Sequence, residues 1–285
     1  MSQPTVVVTG ATGNVGRSLV PLLLDAGASV RVVTRDPDAA DLPAGVAAVR
    51  ADLLDPSTLD DAFAGADAVF LLWPGTSPEG AGPVIDAIAK HARRVVYLSA
   101  LGVPESDPAG EAPSGLFHAT VEWHILRTGL EWTFLRAGGF ATNTLGWAEE
   151  IRAADRVTWV YGGAGRSMIH EADIAAVAAR ALTEDGHAGA RYELTGPGVV
   201  TQEEQVRLIG EAIGRDLRWV ELSEQDARER MREMGWAPEF IDGGLAHWAS
   251  IVTDPEPVTG TVEEVTGAPA RPFAQWAREH ADVFR

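Results

Sequence analysis

A chain of 285 residues with 46% hydrophobic content is long enough for one large domain, or a main domain with a smaller lobe, around a sizeable core. Its formal net charge of −18 argues against a nucleic-acid or anionic-membrane partner, since both need basic patches, and the absence of cysteine excludes disulfide and thiolate chemistry. No apolar run approaches the roughly 20 residues of a membrane span, and no basic-then-apolar leader precedes the first strand, so a cytoplasmic protein handling a small molecule, as monomer or homodimer, is expected.

The first predicted strand is the β-branched run Val6 to Thr9. It breaks into Gly10, Gly13 and Gly16, and a helical apolar pattern follows at Val15, Leu19, Val20, Leu22 and Leu23. Strand, glycine turn and helix in that order form a dinucleotide fingerprint. Gly10 allows the sharp turn, Gly13 lets the backbone approach a pyrophosphate, and Gly16 lets the helix pack closely on the sheet. The free N–H groups and positive dipole end of the helix face the phosphates.

Strands are then expected at 29–34, 46–49, 68–72, 94–99 and 131–136. Helices are expected from the Asp55-Pro56 start to about Phe63, at 83–91 and at 117–128. Short links between alternating elements predict a Rossmann-type, doubly wound parallel α/β sheet with helices on both faces. From about Gly138 the alternation loosens. A helix at 172–182 and a strand at 191–194 are followed, beyond Gly196-Pro197-Gly198, by a helix at 202–213, a strand at 217–222 and a charged helix at 224–234. Apolar helical stretches lie at 240–251 and 273–284. The division expected is a nucleotide-binding domain over 1–137 and a smaller, mostly helical substrate lobe over 138–285, with elements of about 156–195 returning to the sheet.

The residue closing the second strand meets the adenosine ribose in such folds. Here it is Arg35, a forked cation suited to a 2′-phosphate, which favours NADPH over NADH. Asp36 either brings a carboxylate to the ribose or caps the turn before Pro37. Asp52 and Leu53 follow the third strand, where a side chain reaches the adenine amino group; alternatively Asp52 belongs to the start of the Asp55 helix.

The pattern Thr9-Gly10-x-x-Gly13-x-x-Gly16 resembles that of extended and atypical short-chain dehydrogenases/reductases. More specifically, the chain is similar to their NmrA-like branch. The matching stretches are Val33 to Arg35, Asp52-Leu53, Val96 to Ala100, His118 to Glu122, Gly129 to Arg136 with Phe140 and Asn143, and Ile169 to Ala175. They span essentially the whole chain. The resemblance implies a Rossmann-type domain with a small C-terminal lobe. It further implies either an NAD(P)H-dependent quinone, azo-dye or triphenylmethane-dye reductase, or a regulator that binds NADP(H) without turning it over. Carried over by position, Gly10, Thr12, Gly13, Asn14, Val15 and Gly16 hold the pyrophosphate and Arg35 the 2′-phosphate. Leu72 and Trp73 line the middle of the cofactor, and Ser99, Ala100, Gly138 and Phe140 lie near the nicotinamide.

The wider superfamily protonates its substrate from a tyrosine placed four residues before a lysine on one helix. That pair is absent here, because Lys90 is the only lysine and Tyr97, Tyr161 and Tyr192 are the only tyrosines. The corresponding helix offers His118 and Glu122. On one reading His118 donates the proton while Glu122, one turn on, orients it or raises its pKa. On the other, both are polar neighbours of the Phe117–Val121–Ile125 stripe in an ordinary i,i+4 contact. Ser99 either bonds a substrate oxygen or starts a loop, Arg136 either holds an anionic substrate or pairs with a buried carboxylate, and Asn143 either meets substrate or caps a helix. His170 and Asp173 lack further ligands, so no metal is expected. Trp147, Trp159, Trp236 and Trp248 form either an aromatic slot for a flat ligand or plain core. The function expected is an NADPH-dependent reductase passing hydride to a small quinone-, azo- or carbonyl-type acceptor, with His118 or solvent supplying the proton. The alternatives are a non-catalytic NADP(H)-binding redox sensor and a specialised biosynthetic ketone or imine reductase.

Overall fold

The computed structural model describes residues 3–113 and 116–285. Its first half alternates as the periodicity requires: β1 (Thr5–Thr9), α1 (Asn14–Asp25), β2 (Ser29–Thr34), β3 (Ala47–Arg50), α2 (Leu59–Phe63), β4 (Ala68–Leu71), α3 (Ala81–His91), β5 (Arg94–Ala100), α4 (Phe117–Leu126) and β6 (Glu131–Ala137). Then come α5 (Ala148–Ala154), β7 (Arg156–Trp159), β8 (Gly165–Arg166), α6 (Glu171–Thr183), β9 (Ala190–Leu194) and β10 (Val200–Thr201). The chain closes with α7 (Gln202–Ile213), β11 (Arg218–Glu221), α8 (Glu224–Glu233), α9 (Pro238–Ser250), α10 (Thr261–Thr266), α11 (Phe273–Glu279) and α12 (Ala281–Phe284).

Seven strands form one parallel sheet in the order β3-β2-β1-β4-β5-β6-β9. The strand order reverses between β1 and β4, which makes the carboxyl ends of those two strands the crevice where open α/β sheets bind ligands. Both sheet faces are covered, so the strands are apolar almost throughout, as Val6, Val7 and Val8 show at 0% exposure. On one face Val7, Val69, Val95, Tyr97 and Phe134 pack with Phe63, Val84, Ile85, Ile88, Val121 and Ile125 of α2, α3 and α4. On α1, Val15, Leu19, Val20 and Leu23 are buried, and α1 packs against α6. Burial of each such side chain stabilises the fold by roughly 1.5–3 kcal/mol. Exposed ion pairs such as Lys90–Asp60 are worth about 0–1 kcal/mol, so the apolar layers dominate.

Two compact units emerge. The first takes the residues up to Gly138 together with Glu171–Leu194 and Thr261–Ala268; the second takes Gly139–His170, Thr195–Gly260 and Pro269–Arg285. Thus α6, β9 and α10 belong with the parallel sheet, whereas β7 pairs with β11 in the second unit. There the core gathers Ile209, Met231, Ile241, Phe273, Trp276 and Phe284. Thr201 caps α7 by accepting the Glu204 N–H at 3.1 Å, and Gly214 ends that helix at φ +70°. The helix expected at 273–284 is divided at His280 into α11 and α12. Among the described residues no helix is long and apolar enough to cross a membrane.

Candidate functional site

The turn after β1 is built by its glycines. Gly10 has φ +67°, and its carbonyl accepts the Gly13 N–H at 3.0 Å. A Cβ on Gly16 would fall 2.3 Å from the Gly10 oxygen and 2.4 Å from Ala11 Cα, so the turn and α1 pack backbone to backbone. Thr9 Oγ1 accepts the Leu72 N–H at 2.8 Å and donates to the Phe70 carbonyl at 3.1 Å, tying the ends of β1 and β4 together. Arg17 Nε braces the loop by donating to the Thr12 carbonyl at 2.8 Å. At the start of α1 the N-cap is Gly13, which brings no capping side chain, and the first turn carries no acid. The N–H groups and dipole of this helix end therefore remain available to an external anion.

A cavity of about 260 Å³ opens beside this turn, and it is lined by the expected Gly10, Thr12, Arg35, Asp52, Leu53 and Leu72. Arg35 is exposed, and its guanidinium has no hydrogen bond or ion pair among the described residues. The Asp36 carboxylate pairs with Arg50 at 3.6 Å, and its N–H donates to Thr34 Oγ1 at 3.3 Å, so the side chain that closes this turn is Thr34. Asp52 accepts the Leu54 N–H at 3.0 Å, and Asp55 caps the following helical turn. Asn14 opens α1, and buried Val15 and Gly16 contribute backbone only. The open helix end, the glycine contacts and the unpaired Arg35 fit the diphosphate and ribose of a nicotinamide dinucleotide.

Trp73 is 7% exposed, belongs to the sheet core, and gives its indole N–H to the Ser77 carbonyl at 2.7 Å. Of the Leu72–Trp73 pair expected along the cofactor, only Leu72 lines the cavity.

At the ends of β5 and β6 the polar groups are engaged with one another. Register places Ser99 beside Arg136. Ser99 Oγ donates to Glu122 Oε1 at 2.6 Å, while Arg136 grips both Glu122 oxygens, Nη2 to Oε2 at 2.6 Å and Nε to Oε1 at 3.1 Å. Arg136 Nη1 also lies 3.5 Å from Glu105, which pairs in turn with Arg191 at 3.0 Å. Burial pulls the Arg136 pKa down, but the bond to Glu122 and its charge outweigh that and hold it above its ordinary value. The choice left open for Arg136 thus falls to the buried pair.

The expected coupling of Glu122 to His118 is corrected. The partner of His118 is Tyr97, whose hydroxyl lies 2.7 Å from Nδ1. Burial, with the charge of Glu122 second, pushes the Tyr97 phenol well up, so it keeps its hydrogen beside Nδ1. Burial pushes His118 down to about 4. At neutral pH it is an uncharged imidazole, not the imidazolium a general acid requires. Ser99 has its hydrogen on Glu122, so it can only accept from a ligand. Ala100 ends β5, the Gly138 N–H bonds the Leu194 carbonyl at 2.9 Å, and Phe140 bridges to Ile169 within the second unit.

The second unit has its own cavity of about 370 Å³, with all four tryptophans on its wall. The Trp159, Trp236 and Trp248 rings stand 5.7–6.5 Å apart, and Trp236 is 38% exposed, so this cluster is more than core. Asn143 lines the cavity as well; the cap of its helical segment is Phe140. Arg166, Gln202, Gln205, Glu150 and Arg230 also line it and were not anticipated. Arg166 follows Gly162-Gly163-Ala164-Gly165, a cation after a glycine-rich turn whose partner, Glu256, is distant in the chain. His170 Nε2 meets Glu279 at 3.2 Å, Asp173 is buried in the first turn of α6, and no metal-holding group of side chains occurs among the described residues.

The family model described as NAD(P)H-binding matches residues 10–185. A (4-alkanoyl-5-oxo-2,5-dihydrofuran-3-yl)methyl phosphate reductase of Streptomyces griseus is 37% identical over 282 residues, covering 98% of this chain and 99% of that protein. The NAD(P)H azoreductase of Xenophilus azovorans is 32% identical over 292 residues, with coverage of 98% and 99%. Among solved structures, the triphenylmethane reductase of Citrobacter sp. complexed with NADP(H) superposes with a TM-score of 0.79 at 21% identity, over 97% of this chain and 99% of that one. These findings agree with the NmrA-like resemblance read from the sequence.

Proposed function

The chain belongs to the NAD(P)H-binding family, and from that premise we propose that it is a cytoplasmic, NADPH-dependent reductase of a small, conjugated, electron-poor acceptor of quinone, azo or carbonyl type. The observation that carries this reading is the open glycine turn with the unpaired Arg35 beside it. The bound cofactor supplies the hydride. The backbone N–H groups at the start of α1 hold its diphosphate, and Arg35 takes the 2′-phosphate, which would favour NADPH over NADH. Ser99, Glu122 and Arg136 hold the ends of β5 and β6 in register.

An extended acceptor suits a site whose histidine is neutral. Once hydride has arrived, the negative charge spreads over the conjugated system, and a proton from water completes the reaction without a dedicated acid. A simple ketone develops a localised alkoxide and depends far more on a positioned donor. The similarity to the azoreductase and to the furanylmethyl phosphate reductase supports this class, because the substrates those names describe are conjugated.

One observation favours a second reading, a redox sensor that binds NADP(H) without turnover: Tyr97 with His118, and Ser99 and Arg136 with Glu122, are paired within the protein. Following nicotinamide absorbance with quinones, azo dyes, acyl-butenolides and simple ketones separates the two. Oxidation of NADPH by the conjugated acceptors and not by the ketones is expected. Tight NADP(H) binding without oxidation across the panel would favour the sensor.

A further inference from the structure

On the wall of the second unit's cavity, Arg166 is a charged group whose fork is only partly engaged. Its Nε donates to Glu256 Oε1 at 3.2 Å, and Nη1 and Nη2 make no hydrogen bond within the described residues. The guanidinium occupies the space a side chain at Gly139 would fill: a Cβ there would be 2.2 Å from Nη2. Glu256 is fully engaged, since it also accepts the Ser167 N–H at 3.0 Å and faces His247 Nε2 at 3.1 Å. The fork is therefore held by one edge while its other edge stays free, which is the geometry that grips a planar or tetrahedral oxyanion with two parallel N–H bonds.

The surroundings agree in charge and shape. Glu150, the acid on the cavity wall, is answered by Arg156 at 3.2 Å and Arg230 at 3.0 Å. Three guanidiniums therefore stand against the two carboxylates Glu150 and Glu256, a local excess of one positive charge in a chain of net charge −18. Beside them the Trp159, Trp236 and Trp248 indoles offer flat apolar surface. A cavity of about 370 Å³ is of the size that holds small ligands.

Resting on the reductase reading, we propose that this cavity selects an acceptor carrying an oxyanion, a phosphate monoester or carboxylate, with its flat conjugated body among the indoles and its anion on the Nη edge of Arg166. Arg166 is thereby a specificity residue; it takes no part in hydride transfer.

The test is calorimetry on the full chain with NADP saturating, so that the cofactor site is closed to the probes, using 1-naphthyl phosphate, 1-naphthoate and 1-naphthol. At least one anionic probe is expected to bind about tenfold to a hundredfold tighter than 1-naphthol, the range for charge-assisted hydrogen bonds, and the tighter of the two anions identifies the natural group. Arg166→Gln should abolish the preference while leaving 1-naphthol affinity unchanged, and Trp248→Ala should weaken all three probes. Wild-type protein that binds 1-naphthol as well as both anions overturns the proposal, even if Arg166→Gln fails to fold for want of a partner to Glu256. So does a folded Arg166→Gln that keeps the preference. Failure of NADPH oxidation with every acceptor would remove the reductase reading without altering these affinities, whereas loss of the anion preference would leave that reading intact.

Discussion

The turn after β1 and the cluster at the ends of β5 and β6 use polar groups in opposite ways. In the first, the α1 N-terminus has no capping side chain, glycines let the turn and the helix pack backbone to backbone, and Arg35 has no partner among the described residues. In the second, Ser99, Glu122 and Arg136 saturate one another, and Tyr97 takes the inner nitrogen of His118. One region leaves its donors for a ligand; the other uses them to fix strand ends. A polar residue near the carboxyl end of a strand is thus not by itself a catalytic residue, and its hydrogen-bond partners decide which kind it is.

Breaking the closed cluster should show that it is structural. Arg136→Met strands Glu122, 1% exposed, without its counter-charge, and should cost about 3–5 kcal/mol of stability. Chemical denaturation measures the loss, and NADP(H) affinity of the folded fraction should stay as in the wild type. An unchanged denaturation midpoint would mean that the pair is not holding the strands.

The open turn should respond in the reverse sense. Gly16→Ala forces a Cβ against the Gly10 carbonyl and should weaken NADP(H) by about a hundredfold, which is about 2.8 kcal/mol. Full affinity in that variant would show that the turn does not grip the diphosphate.

The closed region also predicts a pH effect. His118 titrates near 4 when folded against about 6.5 when unfolded. Between those values the unfolded chain binds more protons, so stability is complete above pH 6.5 and falls as the pH drops toward 4. At pH 5 the loss from this residue is about 2 kcal/mol. His118→Gln should flatten the difference between denaturation curves at pH 7 and pH 5; an identical acid dependence in that variant would contradict the burial account. Smaller still, Arg35→Ala should cost NADPH about tenfold, or about 1.4 kcal/mol, and NADH almost nothing.

The same contrast explains what the amino-acid order could reveal. Local constraints were readable. The glycine spacing, the apolar period of α1, the Asp55 cap and the valine-rich strands each specify their own conformation, and the parallel sheet follows from their alternation. Partners distant in sequence were not. The i,i+4 spacing of His118 and Glu122 suggested a pair, yet a guanidinium from β6 outcompetes a neutral imidazole for a buried carboxylate. Trp73 follows Leu72 directly, and the chain turns one to the cavity and the other to the core. Arg166 and Glu256 are 90 residues apart, so nothing near either one announces the other. Residues 141–159 carry no clear period and conceal α5 and β7.

The central claim, that the glycine turn exists to hold a nicotinamide dinucleotide phosphate, is tested most directly by calorimetric titration of the full chain with NADPH and then NADH. Saturable binding of one NADPH per chain, tighter than NADH, is the result predicted. Absence of heat with every nicotinamide nucleotide, oxidised or reduced, would contradict it.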